Sequence, residues 1–170
     1  MQEGGFLLVG LVIKIVFVCT GNTCRSPMAQ ALFRKIIEDR NLPKNQFKIF
    51  SAGLNAVKNQ PATTEAIDVM KMYGIDLSEH QATPIEYLQE KDVDILFTMT
   101  KRQAETLKKI FPAFENKVFT LSGFVESEKE IEDPFGLHFS VYQKCADDLS
   151  ALLSKALDKI NLEYGQRELS

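Results

Sequence analysis

The feature that most constrains the fold is a strand pattern that leads directly into a short polar loop. Residues 13–18 read Ile-Lys-Ile-Val-Phe-Val, a β-branched and aromatic run typical of a strand. The next nine residues, 19–27, read Cys-Thr-Gly-Asn-Thr-Cys-Arg-Ser-Pro, and an amphipathic helical pattern follows over 27–39. A strand, a short loop and a helix N-terminus in this order predict an anion-binding turn, because backbone N–H groups converge there.

Strand and helix patterns alternate along the rest of the chain, which predicts an α/β fold with a parallel sheet covered on both faces. No internal repeat or linker divides the 170 residues. We therefore predict a single domain at 12–164, with an N-terminal extension at 1–11 and a C-terminal tail at 165–170. The predicted strands are 13–18, 47–50, 93–97 and 118–121, and the predicted helices are 27–39, 61–73, 84–89, 101–111 and about 140–162.

Charge and cysteine content exclude several classes of partner. A formal net charge of -3 gives no basic surface for a nucleic acid. The apolar run 6–19 is too short for a membrane span and contains Lys14, and no export signal precedes the loop. The three cysteines are an odd number, two of them inside the loop, which favours a reducing compartment. We predict a cytoplasmic protein that binds neither nucleic acid nor membrane.

The loop carries a nucleophile and an anion-binding side chain. Cys19 stands at its start, and Arg25 follows six positions later. A thiolate is the nucleophilic form of cysteine, and a helix N-terminus and a nearby arginine both favour it. The planar fork of Arg25 can bind two phosphoryl oxygens at once. The alternative is a merely structural cysteine at a strand end. Cys-x4-Cys without a second ligand pair does not indicate zinc, and we predict no metal and no cofactor.

The loop at 18–27 resembles the signature of the low-molecular-weight protein tyrosine phosphatases. The similarity continues from residue 13 to about 160, through Ser-Ala-Gly at 51–53, Gly-Ile at 74–75, His80, Ile-Leu-Phe-Thr-Met at 95–99, Asp-Pro-Phe at 133–135 and Val-Tyr-Gln-Lys-Cys at 141–145. The resemblance implies a flavodoxin-like three-layer sandwich with a four-stranded parallel sheet in the order 2-1-3-4. It also implies that the loop and Asp133 open at the same edge of the sheet.

The resemblance also implies the roles of individual residues. Cys19 would form a phosphocysteine intermediate, Arg25 would bind the phosphoryl group or a similar oxyanion, and Asp133 would be the general acid. Substrate-binding positions would be Thr20, Gly21, Asn22, Thr23, Cys24 and Phe135. Side chains that support the loop would be Ser26, Ser51 and His80, together with Asn22. Oxidation could join Cys19 to Cys24 as a disulfide, which would make the protein redox-sensitive.

The substrates that this resemblance implies are phosphorylated proteins. Thr20 and Thr23 stand where tyrosine phosphatases usually carry bulky aliphatic residues, and Phe135 is followed by Gly136 rather than by a second aromatic residue. These departures resemble the bacterial protein-arginine phosphatase branch, so phosphoarginine is favoured and phosphotyrosine is the alternative. Two remote alternatives are a thiol-dependent arsenate reductase, which needs further relay cysteines, and a non-catalytic phospho-ligand binder.

Overall fold

The computed structural model describes residues 11–167, with side chains as far as Tyr164. Most of the predicted N-terminal extension and residues 168–170 therefore lie outside the described residues. Leu11, which we assigned to the extension, packs half-buried against the core. Within 11–167 no helix is both long and apolar enough to cross a membrane.

Four parallel strands form the sheet, in the spatial order β2-β1-β3-β4. They are β1 (Ile13–Cys19), β2 (Phe47–Gly53), β3 (Ile95–Thr98) and β4 (Val118–Thr120). This confirms the predicted strand number, direction and order. Cys19 pairs with Gly53 across the first strand pair, and Val18 pairs with Thr98 across the second. The carboxyl ends of the strands therefore meet at one edge, immediately around the polar loop.

Between residues 11 and 167, five α-helices connect and cover these strands: α1 (Arg25–Asp39), α2 (Thr64–Met72), α3 (Lys101–Ile110), α4 (Leu121–Phe124) and α5 (Phe139–Arg167). Helix α5 continues into the segment that we predicted as a C-terminal tail. The helix predicted at 84–89 is wrong, because only the 3-10 turn Ile85–Tyr87 forms there. Leu88 returns to an extended conformation and Pro84 is bridged to Gly53, so the segment runs beside β2.

The core has two layers, one on each face of the sheet. Alternate residues of β1 point to opposite faces, as a strand requires. Ile13, Ile15 and Phe17 pack with α1, α2 and α5, whereas Val16 and Val18 pack with α3. All five side chains are fully buried. Burial on both faces explains why β1 is nearly all apolar, and it confirms the predicted three-layer sandwich.

Candidate active site

The loop after β1 begins with a short contact between two side chains. The Sγ atom of Cys19 lies 2.9 Å from the Oγ atom of Ser26, and both residues are buried. The side-chain amide of Asn22 donates to the same Ser26 oxygen at 2.8 Å. Since that amide uses an acceptor position of Ser26, the single hydroxyl hydrogen has two acceptors in reach. They are Cys19 Sγ at 2.9 Å and the carbonyl of Ala52 at 3.4 Å, so the shorter contact is the one to Cys19.

Asn22 holds the loop to the segment before the 3-10 turn at residue 85. Its φ of 55° lies in the left-handed region, which asparagine tolerates better than most residues. Its Oδ1 accepts the backbone N–H of Thr83 at 2.8 Å, and its carbonyl oxygen lies 2.7 Å from Nε2 of His80. Because a carbonyl can only accept, Nε2 carries the proton. Burial lowers the pKa of His80, which favours this neutral donor.

Ser51 lies one step away from the loop, which corrects the expectation that it supports the loop directly. Its hydroxyl donates to Oε1 of Gln30 at 2.8 Å, and Nε2 of Gln30 donates to the carbonyl of Ile49 at 3.0 Å. Ser51 therefore fastens α1 to β2. The strand holds Ser51 in register with Phe17, two residues before Cys19.

Arg25 and Asp133 meet where the loop opens to solvent. Nη2 of Arg25 lies 3.4 Å from Oδ2 of Asp133, and Nη1 donates to the carbonyl of Ile131 at 3.2 Å. The Arg25 side chain is nearly buried, whereas more than half of the Asp133 side chain is exposed. Oδ1 of Asp133 accepts the N–H of Phe135 at 3.1 Å, which fixes the carboxylate in a turn. The Phe135 ring itself is largely exposed.

Thr20 is tied to helix α3 by a residue that sequence reasoning missed. Nε2 of Gln103 donates to Oγ1 of Thr20 at 3.2 Å, and Oε1 of Gln103 accepts the N–H groups of Met99 and Thr100. The Thr100 hydroxyl in turn accepts the N–H of Gln103, so the two residues form a capping box. The Thr-x-x-Gln spacing at 100–103 was the signal that could have identified Gln103.

Gly53 is the second residue whose role was missed. A Cβ atom at this position would lie 2.7 Å from the carbonyl oxygen of Thr20 and 3.0 Å from the backbone nitrogen of Asn22. The next two N–H groups, of Leu54 and Asn55, donate to the carbonyls of Cys19 and Thr20. Only glycine lets the end of β2 approach the loop this closely. The Ser-Ala-Gly motif at 51–53 had indicated similarity to the phosphatase family, but it had not assigned a role to Gly53.

The side chain of Cys24 points into the protein, so only its backbone remains to contact a substrate, and its place among the substrate-binding residues stays a prediction. Its Sγ lies 3.5 Å from the hydroxyl of Tyr142 and 3.6 Å from that of Thr63, under the loop. Burial raises the pKa of Cys24. Thr23 is also mostly buried, with its hydroxyl 3.8 Å from Cys24 Sγ, and its carbonyl accepts the N–H of Thr63. Half-buried Gly21 completes the loop.

The arrangement suits phosphoryl transfer. A thiol lies at a strand end, with a hydroxyl beside it and the first turn of a 15-residue helix, α1, following directly. The unpaired N–H groups and partial positive charge of such a turn attract an oxyanion. A buried guanidinium adds a full positive charge, and an exposed carboxylate stands next to it. The thiol can serve as a nucleophile, the helix turn and the guanidinium as an oxyanion-binding site, and the carboxylate as a proton donor.

Comparisons with known proteins agree with this chemistry. Residues 14–166 match the family described as low molecular weight phosphotyrosine protein phosphatase. The chain is 38% identical over 142 residues to a protein-arginine-phosphatase of Bacillus subtilis (strain 168), covering 83% of this chain and 92% of that protein. It is 35% identical over 143 residues to the low molecular weight protein-tyrosine-phosphatase PtpB of Staphylococcus epidermidis, covering 84% and 96%.

A solved structure with a trapped phosphoryl group has the same fold. It is the arginine phosphatase YwlE with a cysteine-to-serine substitution and a phosphorylated active-site serine. The TM-score is 0.79 at 35% sequence identity, and the match covers 87% of this chain and 95% of that chain. A phosphoryl group on the side chain that replaces a cysteine indicates a cysteine-based covalent mechanism in that protein.

Proposed function

Because this chain belongs to the low molecular weight phosphotyrosine protein phosphatase family and is a cysteine-dependent protein phosphatase, we propose that its preferred substrate is phosphoarginine in proteins. The proposal extends to the residues that carry the reaction. Cys19 is the nucleophile, Arg25 and the loop N–H groups hold the phosphoryl oxygens, and Asp133 transfers the proton.

The reaction has two steps. Cys19 Sγ attacks phosphorus, and the phosphorus–nitrogen bond of phosphoarginine breaks while Asp133 gives its proton to the leaving nitrogen. A water molecule then attacks phosphorus, Asp133 takes up a proton from it, the sulfur–phosphorus bond breaks and inorganic phosphate leaves. The hydroxyl of Ser26, 2.9 Å from Cys19 Sγ, stabilises the thiolate as it departs.

The observation that carries the choice of phosphoarginine is the lining of the cleft beside Asp133. That cleft is formed by polar and aliphatic side chains, including Thr20, Leu54 and Asn55, and no aromatic ring lines it. A phosphotyrosine ring binds best between aromatic and apolar surfaces. A planar, cationic guanidinium instead suits the carboxylate of Asp133 and small polar walls. The relative from B. subtilis is named for this substrate.

Phosphotyrosine is the second candidate. The ring of Phe135 is 65% exposed beside the catalytic carboxylate, so it could pack on one face of a phosphotyrosine ring. The S. epidermidis relative carries the tyrosine-phosphatase name. The two candidate substrates therefore differ in where their side chain would lie: phosphoarginine against the inner end of the cleft, and phosphotyrosine against the ring of Phe135.

The structure supports an arsenate reductase less well than a phosphatase. Its relay needs a thiol that readily becomes a thiolate. Cys145 is the remaining cysteine, and burial raises its pKa to about 12, so it is a poor nucleophile at neutral pH. Reduced cysteines, which the phosphatase mechanism needs, suit the cytoplasm.

The test compares two peptides of identical sequence that carry either phosphoarginine or phosphotyrosine at the centre. We expect kcat/KM to be at least about tenfold higher for phosphoarginine, a discrimination of the size that one set of pocket contacts supplies. Cys19→Ser is the control for both peptides and should remove turnover while the protein stays folded. Faster hydrolysis of the phosphotyrosine peptide would reverse the assignment.

A further inference from the structure

A cleft of about 560 Å³ opens beside the catalytic residues and extends away from them. Thr20, Arg25 and Asp133 form its inner end. Its other walls are helix α3, residues 54–55 after β2, and the segment 130–132, which precedes Asp133. The volume lies within the range of about 300–1,000 Å³ that ligand sites occupy. Because the cleft shares three residues with the catalytic site, it offers space next to a substrate bound there.

The walls of the cleft are held by hydrogen bonds rather than formed by loose loops. The Gln103 amide joins Thr20 to α3, as described above. The carboxylate of Glu130 accepts the N–H of Lys101 at 2.6 Å, and the N–H of Ile131 donates to the carbonyl of Met99 at 3.3 Å. The segment before Asp133 is thereby fastened to the start of α3, and the cleft is preformed.

The cleft combines apolar surface with an excess of negative charge. Leu54, Ile110 and Ile131 supply aliphatic lining, and Ile110 is 58% exposed. Apart from the paired Arg25 and Asp133, the charged lining residues are Glu130, Glu132 and Arg102. Among the described residues, exposed Glu132 forms no ion pair; Lys144, which interacts with it electrostatically, is paired with Asp148 at 2.8 Å. An aliphatic stem with a cationic end matches such a surface.

We propose that the outer part of this cleft, beyond the inner end that holds the phosphorylated residue, is a subsite for a neighbouring lysine or arginine side chain of the substrate. Its methylene stem packs on Ile110, and its cationic end lies near Glu132. The proposal rests on the proposed phosphatase function and adds a sequence preference to it. The enzyme therefore selects phosphorylated residues in basic segments of a protein.

The experiment uses three phosphoarginine peptides of equal length that differ only at the two residues flanking the phosphorylated one. These flanking residues are lysine, leucine or glutamate. For the parent protein we expect kcat/KM to fall in the order lysine, leucine, glutamate. The measured quantity is the lysine-to-glutamate ratio of kcat/KM within each protein, so differences in overall activity between variants cancel.

Variants of the charged residues that line the cleft test whether the preference for basic flanking residues arises there. Glu132→Gln should reduce the ratio roughly two- to fivefold, the effect of losing a partly exposed ion pair, and Glu132→Lys should reduce it further. Arg102→Gln should increase it, because a repelling charge leaves the opposite wall. Glu128→Gln is the matched control: Glu128 is exposed just before the segment 130–132 but does not line the cleft, so the ratio should stay at the parent value.

A second peptide series with phosphotyrosine at the centre separates this proposal from the proposed function. If phosphotyrosine is the better substrate but the same flanking preference and variant effects appear, the subsite stands and the phosphoarginine assignment fails. A ratio near one in the parent for both series would overturn the subsite. Equal reductions of the ratio by Glu128→Gln and Glu132→Gln would also overturn the subsite, because the preference would then depend only on the net charge of the protein.

Discussion

The side-chain amide of Gln103 donates a hydrogen bond to the hydroxyl of Thr20 at 3.2 Å, although 83 residues separate them in the chain. One wall of the active site is therefore fixed by the residue that also caps helix α3. Thr20→Val removes this bond but keeps the shape of the side chain and the capping box. Gln103→Met removes both the bond and the box.

We expect Thr20→Val to lower the free energy of unfolding by about 0.5–1.5 kcal/mol, the net value of one hydrogen bond, because Thr20 is exposed and water can replace its hydroxyl beside the Gln103 amide. Gln103→Met should lower it by an additional amount of about 1 kcal/mol, the typical value of a helix cap. Urea denaturation measures both values. Equal losses in the two variants would show that the capping box contributes nothing.

Thr23→Ile should shift discrimination from phosphoarginine towards phosphotyrosine. Thr23 is 8% exposed within the loop, so isoleucine adds bulk and removes a hydroxyl where little space is available. The ratio of kcat/KM values for the two peptides should change by about tenfold or more. Thr23→Ser, which keeps the hydroxyl, is the matched control and should retain the parent preference. An unchanged ratio in Thr23→Ile would contradict a role in specificity.

Asp133→Asn should separate proton transfer from charge recognition. Loss of a general acid commonly costs about 10²–10⁴ in rate, so kcat should fall on both peptides. The lost negative charge should also raise KM for phosphoarginine, whereas KM for phosphotyrosine should change little. p-Nitrophenyl phosphate, whose leaving group needs little protonation, should lose the least activity. A loss as large on this ester as on the peptides would argue against Asp133 as the acid.

Peroxide should inactivate the protein reversibly through Cys19 and Cys24. Cys19 is oxidised to a sulfenic acid, and the Cys24 thiol then displaces water from it to give a disulfide. Cys24→Ser should lose the protection of this disulfide and recover less activity after added thiol. Cys145→Ser should behave like the parent, because Cys145 lies in helix α5, outside the loop that holds Cys19 and Cys24. Full recovery of Cys24→Ser would exclude the resolving role.

His80 should make stability depend on pH. Burial lowers its pKa in the folded protein below the ordinary value of 6.5. The unfolded chain therefore binds more protons at mildly acidic pH, and the contribution of His80 to stability is present above pH 6.5 and lost as pH falls through the folded pKa. His80→Gln keeps a donor for the Asn22 carbonyl without titrating.

Urea unfolding of the parent and of His80→Gln, measured side by side from pH 7.5 down to pH 5, tests this. The parent should lose stability relative to the variant as the pH is lowered. The carboxylates are common to both proteins, so their effect on stability cancels when the two free energies of unfolding are subtracted. A difference that is constant over this range would mean that His80 has the same pKa in both states.

The sheet and the catalytic loop could be predicted because they depend on local patterns. The apolar strand at 13–18 and the loop at 19–27 carry their own signals, and the strand order followed from the family resemblance. The 84–89 segment was mispredicted because its conformation depends on the bridge between Gly53 and Pro84, a contact that no local pattern encodes. The direction of the Cys24 side chain could not be predicted for a related reason: it depends on Tyr142, 118 residues away.

Ser51 shows a further limit of residue-by-residue transfer. A motif indicates which positions matter, but it does not say which atom each one contacts. The hydroxyl of Ser51 bonds to Gln30 rather than to the loop, and Gln103 carries a contact that no similarity had indicated. Hydrogen bonds between side chains distant in sequence are thus the part of the site that requires the structure.

The polar loop is held by partners that are widely spread along the chain. Its contacts reach Gly53, Thr63, Thr83 and Gln103, and the contact between Cys24 and Tyr142 spans 118 residues. Contacts of such long sequence separation form late in folding, because closing the intervening chain costs entropy first. The shape of the loop therefore depends on β2, α3 and α5 all being in place. We expect recovery of activity during refolding to follow, and not to precede, the recovery of helical structure.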